Sequence, residues 1–320
     1  MGNDSIEISV KGKWLRVPAL DFNEKTIVVR GNWVKMAYIH DEWWMEAELE
    51  DPDACVEKLK KQRSHGLRAD VFTFSQKLPG SLPKYKYPME WDSVAAIPLT
   101  SVKEWWEKLP QETRKNVRRS QKRGVMITVK DFDDGLIRGI AGVNNDSATR
   151  QGRPNAHHGK SLDQVRKDHS SFLDRSDFVC ACLGDELIGF LKIVFKGEVA
   201  SILNLAAKAT HYDKRPTNAL VAKAVELCEK RGVSYLTYGM FNYGNKRDNP
   251  LREFKLRNGF EEILTPRYFI PLGKWGALCM KAKLHRGLLG ILPHGLITLG
   301  INARAKWYDL KQSRRAGVAQ

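Results

Sequence analysis

Cysteine is scarce in this chain of 320 residues: there are five, at Cys55, Cys180, Cys182, Cys228 and Cys279. The number is odd, the spacings are wide and no CxxC pair occurs, so neither a zinc-finger ligand set nor a disulfide framework is indicated. Reduced thiols in a cytoplasmic protein are the expectation. Long apolar runs are missing too. The longest, "LLGILPHGLITLGI" at 288–301, is too short to span a bilayer and is broken by Pro293 and His294. The N-terminal "MGNDSIEISVKGKW" has no basic segment leading into an apolar one, so a secretory signal is not expected. No fixed-period repeat and no low-complexity tract is present.

Acidic residues are in deficit. Lys and Arg number 53 against 37 Asp and Glu, a formal charge of +16 with a pI near 9.6. Such an excess points to an anionic partner: nucleic acid, an acidic membrane surface or a phosphorylated small molecule. Apolar residues at 42% and charged residues at 28% describe a globular chain, and its length suits two domains. The charge is uneven. Residues 41–57 carry eight acids and no base, whereas 273–320 carry nine bases and one acid. Leu284, Leu288, Leu289, Leu292 and Leu296 stand among those bases, which suits a segment lying against an anionic membrane face.

The densest basic stretch is "LPQETRKNVRRSQKRGVMI", with six basic side chains and no acid between Arg114 and Arg123. Pro110, an early Glu112 and a terminal Gly124 predict a helix over 112–124. On it Arg114, Arg118 and Lys122 form one stripe, with Lys115, Arg119 and Arg123 beside it. Like charges four residues apart destabilise a helix unless an anion lies across them. The stripe therefore reads as phosphate-facing, against the alternative of a solvated face.

The remaining pattern predicts a mixed α/β protein. Residues 1–108 read as a smaller α/β unit, with strands either side of Gly31-Asn32, a helix ending near Gly66, a strand "ADVFTF" and a proline-rich loop. Residues 109–272 read as a second unit: strand "VMITVKDF", a hairpin "FVCACLGDELIGFLKIVF" turning at Gly184-Asp185, strand "VASILNLAA", the amphipathic helix "PTNALVAKAVELCEKRG", strand "VSYLTYG", a short helix "NPLREFKLRNGF" and a last strand "RYFIPL". Residues 273–320 form the basic tail. Between the first two strands of the second unit lies a polar segment, "NNDSATRQGRPNAHHGK", with Arg150, Gln151, Arg153, His157, His158 and Lys160. A loop of this kind suits acceptor recognition, or acid–base work by one histidine, here His158; a flexible surface loop is the alternative. No carboxylate or cysteine beside the two histidines completes a metal site. Cys180 and Cys182 share one strand face and read as core.

The order of hairpin, strand, helix, strand, helix, strand resembles the GNAT acyltransferase superfamily. Its end, "YLTYGMFNYGNKRDNPLREFKLRNGFEEILTPRYFIPL", is similar to the close of a Fem-type transferase domain, and Arg114, Asn116, Arg118, Lys122, Gly124 and Val125 are similar to that group's "R.N.R...K.GV" helix. The resemblance covers about residues 109–272. It implies an acyl- or aminoacyltransferase that moves an activated acyl group to an amine, with a peptidoglycan precursor as one family precedent for the acceptor. It implies a general acid at Tyr243, with Tyr238 as the other candidate, and Asn245 and Lys246 near the same site. It implies that Lys255 of the "FK" pair reaches the transfer centre, with Phe254 anchoring it. Strand amides near Leu203 to Leu205, beside Asn204, would hold the oxyanion.

One departure bears on the donor. GNAT enzymes cradle the pyrophosphate of CoA in a glycine-rich turn, since glycine lets the backbone approach closely. Here that place reads "KATHYDKRPTNAL", without glycine; Lys214 and Arg215 would meet phosphates, with Thr217 as a cap. Aminoacyl-tRNA, the donor the Fem-type resemblance implies, fits such a basic chain. The alternatives are an acyl-CoA- or acyl-carrier-dependent N-acyltransferase, marked by saturable CoA binding, and a non-catalytic RNA- or membrane-binding protein that keeps the fold.

Overall fold

The computed structural model describes residues 4–10, 12–45, 47–63, 66–150, 153–242 and 250–286. Twelve strands join in one sheet among these residues. Four of them open the chain: β1 (Asp4–Val10), β2 (Lys13–Phe22), β3 (Lys25–Arg30) and β4 (Met36–Ile39), each antiparallel to the next. Helix α1 (Pro52–Gln62) follows, opened by the Asp51 carboxylate, which accepts from the Ala54 amide at 2.9 Å, and by a proline in its first turn. It crosses to β5 (Val71–Ser75), which lies parallel to β4. Strand β6 (Met89–Pro98) and helix α2 (Val102–Lys108) lead to α3 (Gln111–Lys122), the helix expected over 112–124.

The second half repeats that plan. After β7 (Val125–Lys130) come helix α4 (Asp134–Asn145), a small hairpin of β8 (Thr149–Arg150) and β9 (Arg153–Pro154), and helix α5 (Leu162–His169). Then β10 (Ser176–Leu183), β11 (Glu186–Lys196) and β12 (Val199–Ala207) run antiparallel, with β7 paired to β10. Helix α6 (Pro216–Lys230) crosses to β13 (Tyr235–Met240), parallel to β12. Helix α7 (Pro250–Arg257), β14 (Glu261–Pro271) and α8 (Lys274–Lys281) complete the described chain.

The sheet order is β1-β2-β3-β4-β5-β14-β6-β13-β12-β11-β10-β7. Each half contributes four antiparallel strands, then a parallel step across a helix. The closing strands are exchanged: β6 of the first half pairs with β13, and β14 of the second pairs with β5. The two exchanged strands also pair with each other over Glu261–Tyr268 and Met89–Ala96. The sheet is thus continuous across the 108/109 boundary expected from the sequence, which falls between α2 and α3. The pseudo-repeat lies in the topology and leaves no trace as a sequence period.

Burial follows from layering. Strand β11, "ELIGFLKIVFK", is buried at every position between its ends, as a strand covered on both faces must be. Helices α3 and α6 cover one face, packing Val117, Leu220, Val221 and Val225 onto Leu191, Ile193 and Ile202. Helices α4 and α5 cover the other, packing Ile137, Ile140 and Val165 onto Phe178, Leu187 and Phe190. Gly139 permits the close approach of α4, since a Cβ there would stand 2.7 Å from a Leu187 methyl. A separate core under α1 joins Ile27, Ile39, Phe72 and Phe74 to Tyr268 of β14.

Candidate active site

Strands β12 and β13 pair only at Val199–Ser201 with Tyr235–Thr237. Beyond that point they part, because β13 follows β6, where the Phe241 amide donates to the Ser93 carbonyl. A cleft of about 700 Å³ opens in the gap. Its walls are the end of β12 at Leu205, the first turn of α3 at Glu112, Thr113 and Asn116, Tyr238 of β13, and Phe254 and Arg257 of α7. The start of α6 forms its rim, with Arg215, Thr217 and Asn218.

Arg215 holds a left-handed backbone, φ 56°, as the residue before α6, and no side chain caps that helix. The cap expected from Thr217 is not made, because Thr217 already lies inside the first turn. The first amides of a helix have no partner within it, so this end of α6 presents N–H groups and positive dipole to the cleft without any glycine. Lys214 is turned to Asp213 at 3.5 Å.

Lys255 is fully buried beneath the cleft. Its ammonium donates to the Met240 carbonyl at 2.6 Å and lies 4.8 Å from the centre of the Tyr238 ring. Burial pushes its pKa down to about 8. Phe254, partly buried against the main core, anchors α7 beside it. At the end of α7 the Trp105 indole donates to the Asn258 carbonyl at 3.1 Å, and the Asn218 amide donates to the Asn258 side-chain oxygen at 3.0 Å. Helices α2, α6 and α7 are tied together there.

The stripe of Arg114, Arg118 and Lys122 does not line this cleft; α3 turns Glu112, Thr113 and Asn116 to it. Arg118 lies over the Trp106 ring at 5.7 Å. The neighbouring stripe has acidic partners, with Arg123 on Asp213 at 2.8 Å and Arg119 4.0 Å from Glu112.

On the side covered by α4 and α5, β12 borders a second cavity of about 340 Å³ through Leu203 and Asn204. Leu203 is the extra residue of a β-bulge, since Lys192 pairs with Asn204 and Ile193 with Ile202. The Asn204 side-chain oxygen is buried with no hydrogen-bond partner among the described residues. The polar loop contributes His157 here, 3.7 Å from the Asp168 carboxylate, which also binds Lys160 at 2.5 Å and the Trp14 indole at 3.1 Å. His158, the histidine favoured from sequence, is exposed in the adjacent turn, its amide donating to the Asn155 carbonyl. Arg150 and Arg153 pair through the backbone of the small hairpin. Tyr243, Asn245, Lys246 and Gln151 lie outside the described residues. Tyr238, the second tyrosine of the motif, lies against Lys255.

No family model matches the chain, and no curated protein matches it in sequence. Solved structures do. FemX aligns over 88% of this chain and 90% of its own, with a TM-score of 0.56 at 10% identity. The C-terminal domain of a protein assigned as a lysylphosphatidylglycerol synthetase from Agrobacterium fabrum aligns over 84% and 88%, with 0.55 at 15%. L-PGS from Bacillus licheniformis aligns over 86% and 89%, with 0.54 at 12%. These likenesses establish the fold alone: the chain shares the fold of FemX and of L-PGS.

Proposed function

We propose that the protein is an aminoacyltransferase that takes an amino acid from a tRNA ester and joins it to an amine. The observation that carries this reading is the cleft where β12 and β13 part, with the uncapped end of α6 at its rim and buried Lys255 at its base. The donor's terminal phosphates lie at Arg215 and the amides of α6. Its ester carbonyl reaches the bulge at Leu203. The acceptor amine enters from the cavity of Asn204 and His157.

The amine nitrogen attacks the ester carbonyl carbon and forms an oxyanion, held by strand amides near Leu203 and by the Lys255 charge. His157, steadied by Asp168, takes the amine proton. The carbon–oxygen ester bond then breaks, the ribose oxygen leaves with a proton from Tyr238, and an amide remains. An aminoacyl donor suits the +16 charge and the lack of a glycine-rich phosphate turn. It also agrees with a structural neighbour whose name describes a lysyl-lipid synthetase. The same uncapped helix favours acyl-CoA as the second reading.

Labelled aminoacyl-tRNA and acetyl-CoA, each supplied with a panel of amines, separate the two donors. Label recovered as amide from the first supports the proposal; label only from the second replaces it. Salt-dependent RNA binding with no transfer from either leaves a binding protein on this fold.

The protein also has a face suited to an anionic membrane. Trp33 is 89% exposed, Trp275 46% and Leu278 54%, and the Trp275 indole donates to the Trp33 carbonyl. Lys274 and Lys281 flank Trp275 and Leu278 on α8. No described helix is long and apolar enough to cross a bilayer. A cytoplasmic protein resting on the inner membrane face fits this surface.

A further inference from the structure

Three consecutive carbonyls in the turn after β4 each accept a hydrogen bond from a different buried or half-buried cation. Lys196 donates to Trp43, Arg175 to Trp44 at 3.0 Å, and Lys77 to Met45. The three cations come from the end of β11, the segment before β10 and the segment after β5. Carbonyl dipoles orient such charges without neutralising them.

Three carboxylates stand near: Glu42 and Glu48, which other groups also engage, and Glu198, an exposed residue at the cavity wall. Glu42 is paired with Arg267 at 3.2 Å and accepts the Ser75 amide at 2.6 Å. Glu48 accepts the Lys77 amide at 2.7 Å and the Lys84 ammonium at 2.8 Å. The two lysines are held by carbonyl dipoles, and burial acts against their charge while Glu42 acts for it. Burial pushes Lys77 down to about 8, and burial, with Lys77 and Arg175 nearby, pushes Lys196 down to about 7.

Lys77 and Lys196 line a cavity of about 210 Å³, walled also by Glu42, Trp43, Thr237 and Thr265. The Thr265 hydroxyl is buried and has no hydrogen-bond partner among the described residues, and the same holds for Arg175 Nε. Each ammonium has three protons and gives one to a carbonyl. The cavity lies beyond the parallel pair of β4 and β5, the place in the first half that the donor cleft takes in the second.

We propose that this cavity is a second binding site, for a small oxyanion group, carboxylate or phosphate, held by Lys77, Lys196 and the Thr265 hydroxyl. Clamping of the 43–45 turn accounts for one proton of each lysine; it does not account for the cavity or for the unpartnered hydroxyl. The inference stands whether or not the transfer reading holds.

Thermal melts and calorimetry of the full chain test it, with sodium phosphate, sodium acetate, and sodium chloride at matched ionic strength. The expected result is saturable stabilisation by phosphate or acetate beyond the chloride control, and the arm that responds tells which oxyanion is bound. Lys196→Met should weaken binding tenfold or more. Because that variant also loosens the turn, Thr265→Val, which touches no clamp, should weaken it severalfold while melting like the parent. Arg215→Gln, at the donor cleft, should leave it unchanged. Stabilisation no greater than with chloride overturns the proposal. So does stabilisation that survives both Lys196→Met and Thr265→Val, or that is lost in Arg215→Gln.

Discussion

Lys255 stands under Tyr238 with its ammonium 4.8 Å from the ring centre, a cation held against an aromatic face at the base of the cleft. With a pKa near 8 it is charged at pH 7 and neutral at pH 9. If its charge steadies the oxyanion, the transfer rate falls as pH rises across that interval. Lys255→Met should lower the rate by roughly 10²-fold and remove the alkaline fall. Stability moves the other way. The unfolded lysine titrates near 10.5, so between about 8 and 10.5 the unfolded chain binds the extra proton and folding gains as pH rises. Lys77, Lys192 and Lys196 share this direction, so Lys255→Met should remove only part of the gain. A pH–rate profile and melts at pH 7.5 and 10 check both signs.

Tyr238→Phe removes a hydroxyl from the cleft wall and keeps the ring over Lys255. Loss of the proton donor should slow transfer by roughly 10²-fold with KM and melting temperature near the parent's. An unchanged rate would pass the acid role to another group and leave Tyr238 as packing.

Local pattern makes most of the second half legible. The helix 216–230 can be read because its apolar residues recur with helical spacing after Pro216, and the hairpin because Gly184-Asp185 interrupts two apolar runs. Lys255 stands out through the "FK" pair of "REFKLRNGF", a local motif whose meaning does not depend on distant strands. Strand β6, "MEWDSVAAIP", is not legible, since its first half is polar and its partners β13 and β14 lie far along the chain. The exchange of closing strands is hidden for the same reason: which strands pair is decided at long range. Between His157 and His158 the choice rests on a turn that spacing does not reveal. The three cations on Trp43, Trp44 and Met45 come from distant segments, and no motif joins them.

The basic stripe on α3 makes a separate test. Arg114, Arg118 and Lys122 lie away from the cleft, so they would meet the body of a bound nucleic acid and not its reacting end. Replacing all three with glutamine should weaken tRNA binding and reduce its salt slope by about two to three, with the rate at saturation unchanged. Arg215→Gln should instead slow transfer from a short aminoacylated fragment. Filter binding between 50 and 200 mM salt reads the first effect; an unchanged slope marks the stripe as a solvated face.

Gly259 tests how the floor of the cleft is built. It follows α7 with φ +84°, and a Cβ there would lie 2.7 Å from the Trp105 indole nitrogen and 3.2 Å from a Leu109 methyl. Gly184→Ala is the control, since its φ of +58° is also left-handed but nothing lies within 4 Å. The backbone penalty alone is about 1–2 kcal/mol. Gly259→Ala should cost more, because the Trp105 bond to Asn258 must also yield. Equal losses in denaturant melts would mean that α2 gives way freely.

The exposed tryptophans decide whether a membrane is a partner. A surface indole buries apolar area at a lipid interface while its N–H stays near the headgroups, and lysines beside it add about 1 kcal/mol each against anionic lipid. Full-length protein should sediment with vesicles containing one third phosphatidylglycerol and stay in solution with neutral ones. Trp33→Ser with Trp275→Ser should reduce the bound fraction several-fold; Trp33, 89% exposed, should be silent in thermal melts, and Trp275, 46% exposed with its indole on the Trp33 carbonyl, should lower the melting temperature only slightly. A chain ending at Leu272 would lose α8 and the tail together, so the double variant is the sharper instrument: it keeps all nine bases of 273–320. If it binds as the parent does, charge alone holds the protein to the surface and the indoles are bystanders; if the parent ignores anionic vesicles, this face has another partner.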